Sequence, residues 1–376
     1  MRRSGLPACL VLLLTLALRA EATPFFARTY NLSCQTCHSG FPRLNSFGLA
    51  FKANNFRIPG AEKSAPLAWQ KTIPLAAQIV PTYQRFSPRP NVSQYTDTQL
   101  LAGGLLTRST AFYIHHSLWI DDNPLEFPSY EVWVQQVLDE RNKVLFKIGQ
   151  FELPYSYSPV THLSTVFGPL LFGAALQGND VRIGSAMRGV QFSGLLYDKA
   201  RWYVAYGAPA LLASGNLVGH RQFFGEFRDL FVRLSNRDLA RNVGLFFYLT
   251  EPPRNPNDPK TMDRGQRYGL DATLHWRGFQ FYLMALYGEN RDPRGNGRRG
   301  FLRSGFFEVD KMLLPWLGLA ARWDVQTTEI NGNRAYADAK TISLRFYPVQ
   351  NLKLVAEYQQ RDHGVSGTAL LAALSF

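Results

Sequence analysis

Thr341-Ile342-Ser343-Leu344-Arg345-Phe346 alternates strictly between polar and apolar side chains. After a short break at Pro348-Val349-Gln350 the alternation resumes through Leu352-Lys353-Leu354-Val355-Ala356-Glu357-Tyr358-Gln359. A period of two puts successive side chains on opposite faces of an extended strand. Ile342, Leu344 and Phe346, then Leu352, Leu354, Ala356 and Tyr358, make one apolar face; Thr341, Ser343, Arg345, Lys353, Glu357 and Gln359 point the other way. The same texture runs outward in both directions. Leu317, Leu319, Ala321 and Trp323 alternate with Gly318, Ala320, Arg322 and Asp324. Phe112, Ile114, Leu118 and Ile120 oppose Tyr113, His115 and Ser117.

About sixteen such segments follow one another after roughly residue 64. They fall near 76–86, 97–107, 110–120, 128–138, 143–151, 186–197, 200–207, 226–236, 242–250, 266–275, 278–288, 301–311, 316–326, 338–347, 351–361 and 367–376. A soluble sandwich also alternates, so single strands do not discriminate. The connections do. Short ones (Arg108-Ser109, Glu140-Arg141-Asn142, Asp198-Lys199, Asn236-Arg237-Asp238, Arg277-Gly278, Pro348-Val349-Gln350) interleave with long ones around 87–96, 121–127, 152–185, 208–225, 251–265, 289–300 and 327–337. Short turns at one end and long loops at the other predict an outer-membrane barrel. An even strand count puts both barrel ends on the periplasmic side. The last strand closes on Leu374-Ser375-Phe376, whose terminal aromatic is in phase with the apolar face and resembles the C-terminal signal of such barrels.

Composition agrees. Beyond residue 20 no run of about 18 apolar residues occurs, which excludes helical membrane spans there. Only 18% of the residues are charged and 14% are aromatic, so disorder is excluded. The +13 net charge would suit nucleic acid, but the N-terminus argues for export. Arg2 and Arg3, an apolar stretch from Leu10 to Leu18 and Ala20-Glu21-Ala22 predict a signal peptide cleaved after Ala22. Cys9 precedes the apolar run and leaves with the signal. A nucleic-acid partner is therefore not expected. The positive excess is expected to divide between external loops that meet anionic lipopolysaccharide and a lumen lined by Lys147, Arg233, Arg322, Asp324, Arg345, Lys353 and Glu357. Asn290 to Arg298, rich in Gly and Arg, reads as a solvated external loop rather than a phosphate cradle, since no strand-to-helix context accompanies it.

The exported chain keeps two cysteines, in Cys34-Gln35-Thr36-Cys37-His38. This C-x-x-C-H spacing is that of covalent c-type haem attachment. Two thiols separated by two residues reach the two vinyl groups of one haem, and the adjacent imidazole becomes the proximal iron ligand. A thioredoxin-type pair would need a βαβ context, which is not visible; a structural disulfide is the other alternative. Leu44, Phe47 and Phe51 recur at helical spacing and give a short helix one apolar face. The segment holds no Met and no second His, so the distal position falls to the N-terminal amine near Thr23, to a His from elsewhere, or to no ligand. His115, which should face the lumen, is the first candidate; His116, His162 and Met187 are the others.

These features together resemble the monohaem cytochrome–porin fusions of iron-oxidising bacteria. The matching residues are Phe26-Ala27-Arg28, Cys34 to His38, Pro42-x-Leu44-Asn45-x-Phe47-Gly48, Phe51-Lys52 and Asn54; the barrel matches in architecture only. The resemblance implies outer-membrane electron transfer through one covalent haem c, with extracellular Fe(II) as donor and a periplasmic electron-carrier cytochrome as acceptor. An enzyme of this kind would be an Fe(II) oxidase. The expected organisation is a signal peptide at 1–22, a monohaem cytochrome segment at 23–68 and a porin-like barrel at 69–376. The fold class is all-β: an antiparallel outer-membrane barrel of about 16 strands whose small helical N-terminal segment plugs the lumen. Fe(III) is insoluble near neutral pH, so oxidising the metal at the membrane keeps precipitate outside. A positive lumen would repel Fe²⁺, which would then meet acidic loop residues such as Asp121 and Asp122 or arrive as an anionic chelate. Three alternatives stay open: a conduit for another donor, a plain diffusion porin with a Cys34–Cys37 disulfide, and a soluble cytochrome with an appended β-domain.

Overall fold

The computed structural model describes residues 25–70, 72–88, 91–120, 129–159, 164–176, 182–209, 229–251, 253–255 and 258–376. The signal segment, Asp121, Asp122 and His162 lie outside the described residues.

Sixteen strands close into one antiparallel barrel, each paired with its neighbours in sequence. They are β1 Leu75–Ser87, β2 Asn91–Leu105, β3 Thr110–Ile120, β4 Ser129–Asp139, β5 Val144–Phe151, β6 Met187–Leu196, β7 Ala200–Pro209 and β8 Asp229–Asn236. The second half is β9 Arg241–Thr250, β10 Gly265–Trp276, β11 Phe279–Asn290, β12 Gly300–Leu314, β13 Leu317–Ile330, β14 Asn333–Val349, β15 Leu352–Arg361 and β16 Ser366–Ser375. The seam joins β16 to β1, with Leu374 opposite Ile79. Phe376 extends it, exchanging two backbone hydrogen bonds with Ala77 at 2.8 and 3.2 Å. No described helix is long and apolar enough to cross a membrane; the crossing is made by strands.

The alternation resolves into two surfaces. Ile342, Leu344 and Phe346 stand exposed on the outside, while Thr341, Ser343 and Arg345 are buried inside. Trp323 is 54% exposed between Arg322 and Asp324, both buried. Exposed aromatics gather at two levels: Trp69, Tyr197, Trp276 and Trp316 beside the short turns, and Tyr206, Tyr268, Trp323 and Tyr358 farther along the strands. An apolar outer belt between aromatic girdles is a lipid-facing wall. With closure and short turns at the end that holds the described termini, it makes this chain an outer-membrane barrel with that end in the periplasm.

Two expected connections are corrected. The stretches around 87–96 and 327–337 are not long loops, because the strands run on past the girdle. Asn331 and Gly332 both take positive φ (56° and 80°), and Ile330 pairs directly with Asn333, as in a two-residue Asn-Gly hairpin. The connection at 251–265 carries its own hairpin, Pro253–Asn255 with Asp258–Met262.

The expectation of a basic lumen is also corrected. Among the described residues the buried interior holds seven Arg or Lys side chains but ten Asp or Glu. Four of the arginines form ion pairs with buried carboxylates, so the lining is not a ladder of one sign. Arg233 grips Asp271 with two hydrogen bonds of 2.6 and 2.8 Å. Arg322 pairs with Asp324 at 2.7 Å, and Arg345 with Asp310 at 2.5 Å. Glu357 accepts the backbone N–H groups of Val166 and Phe167, both at 2.7 Å. Burying an unpaired charge is expensive, so inward arginines demand inward carboxylates.

The lumen is occupied. Residues 25–70 enter it from the periplasmic end through α1 Phe25–Tyr30, α2 Cys34–Cys37 and α3 Ser46–Ala53. The β5–β6 connection folds in with α4 Leu170–Gly173. Phe51 and Phe56 of the N-terminal segment, Leu153, Tyr157, Leu171 and Phe172 of the connection, and Phe231, Phe246 and Phe306 of the wall share one buried cluster. The expected plug is present, with its C-x-x-C-H motif in the periplasmic half of the lumen.

Candidate functional site

Asn45 organises the motif. Its side-chain oxygen caps α3 by accepting the Gly48 N–H at 3.0 Å. Its amide donates to the carbonyls of Gln35 and Thr36 at 3.1 and 3.0 Å, and its own N–H donates to Cys37 O at 2.9 Å. One residue therefore starts the helix and pins the C-x-x-C turn against it. Gly48 completes this close approach. A Cβ there would lie 2.2 Å from the Cys37 carbonyl oxygen, so any side chain would push the turn away from α3. In the sequence Asn45 and Gly48 are only matching motif positions; their role depends on the contact between the turn and the helix.

Cys34 and Cys37 are not joined to each other. Both thiols are half-buried. Burial pushes the Cys37 thiol up to about 11, with the neighbouring Cys34 adding to the shift. His38 follows in a short strand paired to Arg43–Leu44. Its Nδ1 donates to the Pro42 carbonyl at 3.1 Å; a metal-bound histidine commonly has its other ring nitrogen engaged in this way. Burial pushes the imidazole down to about 4, so it is neutral and able to bind a metal at any ordinary pH. The motif is tied to the wall: Gln280 of β11 donates to Ser39 Oγ at 2.8 Å, and Tyr347 of β14 donates to the Phe41 carbonyl at 2.9 Å.

Cys34, Cys37 and His38 line a cavity of about 1330 Å³, part of it open to solvent. Its walls are mostly apolar, with Phe25, Phe26, Leu32, Phe41, Phe51 and Phe56 from the N-terminal segment and Leu101 and Tyr113 from the barrel. His115 lines the same cavity from β3. It is buried, and its Nε2 lies 2.9 Å from the Gln99 amide oxygen. The inward phase read for Tyr113, His115 and Ser117 is the observed one. Met187 does not approach: it is buried in the aromatic core where β6 begins, opposite Phe151. His116, half-exposed, is outside the cavity lining.

Two lysines, Lys52 of α3 and Lys353 of β15, also line the cavity. Lys353 Nζ stands 5.9 Å from the Phe41 ring centroid. Its side chain is buried inside the barrel, as the alternation predicts. Only the folded chain brings it beside residues 34–41. A second opening, lined by Cys34, Gln35, His38, Met312, Trp316 and Tyr347, leads from the motif to the periplasmic rim. The motif thus lies between the apolar cavity and the periplasm.

Arg43 fixes the segment deeper in the lumen. Its guanidinium pairs with Glu308, donates from Nε to Ser164 Oγ at 2.7 Å, and lies 4.3 and 4.2 Å from the ring centroids of Tyr157 and Tyr282. Charge pairing and two cation–π contacts converge on one buried side chain. At the rim, Arg57 reaches Glu140 with hydrogen bonds of 2.5 and 3.1 Å, and Asn55 donates to the Ser109 carbonyl at 3.0 Å.

This geometry defines a class: a plugged, sixteen-stranded outer-membrane barrel of the porin type. Comparison of structures gives the same class. The chain resembles the anion-selective porin from Comamonas acidovorans, with a TM-score of 0.58 at 8% identity over 80% of this chain and 99% of that one. It resembles the trimer form of in-vitro folded OmpT from Vibrio cholerae, with a TM-score of 0.58 at 10% identity over 80% and 98%. OmpF from Salmonella typhi, solved with daunomycin, gives 0.56 at 10% identity over 80% and 97%. At such identities the likeness is one of fold. No protein-family model and no curated protein matches the sequence.

Proposed function

We propose that this chain is an outer-membrane electron conduit that carries one covalent haem c on Cys34, Cys37 and His38. Extracellular Fe(II) is the donor and a periplasmic carrier cytochrome the acceptor. One observation carries the reading: the C-x-x-C-H motif lines an apolar cavity inside the barrel, and a second histidine, His115 of the barrel wall, lines the same cavity. The residues present suit the group. The cavity offers two thiols for thioether bonds, an imidazole with Nδ1 already engaged, aromatic walls for a porphyrin face, and the ammonium groups of Lys52 and Lys353 for two propionates.

When bound, haem c supplies a one-electron carrier whose potential follows its axial ligands and burial. The chain's own residues do the rest. Pro42 orients His38, Asn45 holds the two thiols on one turn, and the aromatic wall gives the cavity a largely apolar lining. The rim opening at Gln35 and Trp316 brings the motif within reach of a periplasmic partner. Donor identity rests on the resemblance of the N-terminal motifs, and carboxylates interspersed through the lumen remove the repulsion that a basic interior would impose on Fe²⁺.

The second reading is an outer-membrane diffusion channel, which the likeness to porins favours by itself. The filled lumen counts against it. Tyr155, Phe172, Phe231 and Phe246 pack together in the lumen with ring centroids 5.1–6.1 Å apart, where a diffusion porin keeps water.

The proposal is tested at His115. H115A retains covalent haem, because both thioethers and His38 remain. It is expected to lose its low-spin spectrum, with the Soret band and the electron paramagnetic resonance signal moving to those of a five-coordinate or water-bound iron. An unchanged spectrum removes His115 from the iron; absence of haem from the native protein removes the conduit and leaves the channel.

A further inference from the structure

The lipid-facing side of the barrel carries a basic cleft that the conduit does not use. On β10 the outward residues run Trp276, Leu274, Leu270, Tyr268, Gln266. Trp276 to Tyr268 covers about 26 Å of strand, which at a tilt of about 35–45° is roughly 20 Å of height in an apolar band about 25 Å tall. Tyr268 belongs to the upper girdle, stacked against Tyr287 of β11 with ring centroids 6.3 Å apart. Gln266 and Arg264 stand one and two steps above it, at headgroup level in the outer leaflet.

There Leu249, Gln266 and Glu289 lie side by side on three neighbouring strands. With Arg264, Arg291 and Arg299 they line a cleft of about 600 Å³, partly open to solvent. The cleft faces outward, because Arg267 and Gly288, the next residues along, point into the barrel: a Cβ on Gly288 would meet Arg267 Cδ at 2.6 Å. Arg299 pairs with Glu289 at 2.7 Å, and Arg264 donates to Glu251 at 2.6 Å. Arg291 makes no side-chain hydrogen bond or ion pair among the described residues. Three guanidinium groups therefore meet two carboxylates, Glu289 in the lining and Glu251 beside it, and Arg291 supplies the excess positive charge. Just below, Arg303 stands 6.0 Å from the Tyr287 ring centroid.

We infer that this cleft binds a phosphate group of lipid A, the anionic lipid of the outer leaflet. Height and orientation select a lipid. Guanidinium forks match phosphate oxygens, and Leu249 offers the start of the apolar wall along which an acyl chain descends. The inference stands on the barrel's placement in the membrane and not on the haem.

The test titrates lipid A bearing both phosphates into the detergent-purified full chain and reads Kd by native mass spectrometry or thermophoresis. Chemically dephosphorylated lipid A and inorganic phosphate alone are the other arms. R264Q/R291Q/R299Q is expected to weaken binding of phosphorylated lipid A by about tenfold or more, as lost charge-assisted contacts require. The single change E289Q, which removes the lining carboxylate, is expected to tighten it severalfold. Heat-modifiable migration on gels shows that each variant is folded. Equal affinity of wild type and the triple variant, equal binding of dephosphorylated lipid A, or tight binding of inorganic phosphate alone would overturn the inference.

Discussion

C34S/C37S is expected to insert as a heat-modifiable barrel and to carry no haem that survives denaturation, whereas the native chain stains for haem at the same gel position. The effect is all-or-none, because serine forms no thioether. The barrel should tolerate the change. Neither thiol pairs with the other, and the segment is held by contacts that do not involve them: Arg43 to Glu308, Arg57 to Glu140, Tyr347 to Phe41. Haem staining after denaturing electrophoresis, with the absorbance of the pyridine haemochrome, is the readout. A native chain that fails to stain would leave only the channel reading.

The second large effect concerns the plug. R43A removes a buried cation from Glu308, Ser164 and two tyrosine rings at once. Breaking a buried pair from one side is worth about 3–5 kcal/mol. The lower part of that range applies, because Arg322 still stands 3.5 Å from Glu308. The strands retain their own ladder, so the loss falls on docking of residues 25–70 in the lumen. Conductance in planar bilayers is expected to rise well above that of the native chain, and limited proteolysis is expected to reach the N-terminal segment. R43K, which keeps the charge but not the fork or the flat face, should fall between them. Unchanged conductance in R43A would mean that the segment is held mainly by the rim contacts of Asn55 and Arg57.

The barrel was legible in the sequence because lipid on one side and polar groups on the other impose a period of two that nothing else interrupts. Ile342, Leu344 and Phe346 faced out, Thr341, Ser343 and Arg345 faced in, and the sixteen segments read from that rule are the sixteen strands observed. The upper ends were less legible. Strands beyond the girdle face water on both sides, so their alternation fades, and the 327–337 stretch looked like a loop although Asn331-Gly332 carried the turn signal in plain view. The sign of the lumen was misjudged for another reason: Arg233, Arg322 and Arg345 stand out one at a time, whereas Asp271, Glu308 and Asp310 become their partners only through strand register.

The site shows the same division. Cys34, Cys37 and His38 announce themselves by spacing, since the chemistry fixes that spacing locally. The inward phase of His115 could be read from Tyr113 and Ser117, but its presence in the cavity that the motif lines depends on where residues 25–70 dock. Lys353 and Lys52 were a wall charge and a motif letter until docking brought them to one cavity. Asn45 carried a usable signal, an N-cap residue just before an apolar helical face. Its second task, holding the C-x-x-C turn, needed the tertiary contact.

Adding Fe(II) without oxygen to the purified, oxidised protein in proteoliposomes, and following the haem bands in a stopped-flow spectrometer, tests the conduit most directly. The bands are expected to shift to the reduced form upon contact with external Fe(II), and C34S/C37S to give no such signal. Haem that stays oxidised with Fe(II) at every pH tried, yet is reduced by an organic or periplasmic donor, would contradict the iron conduit.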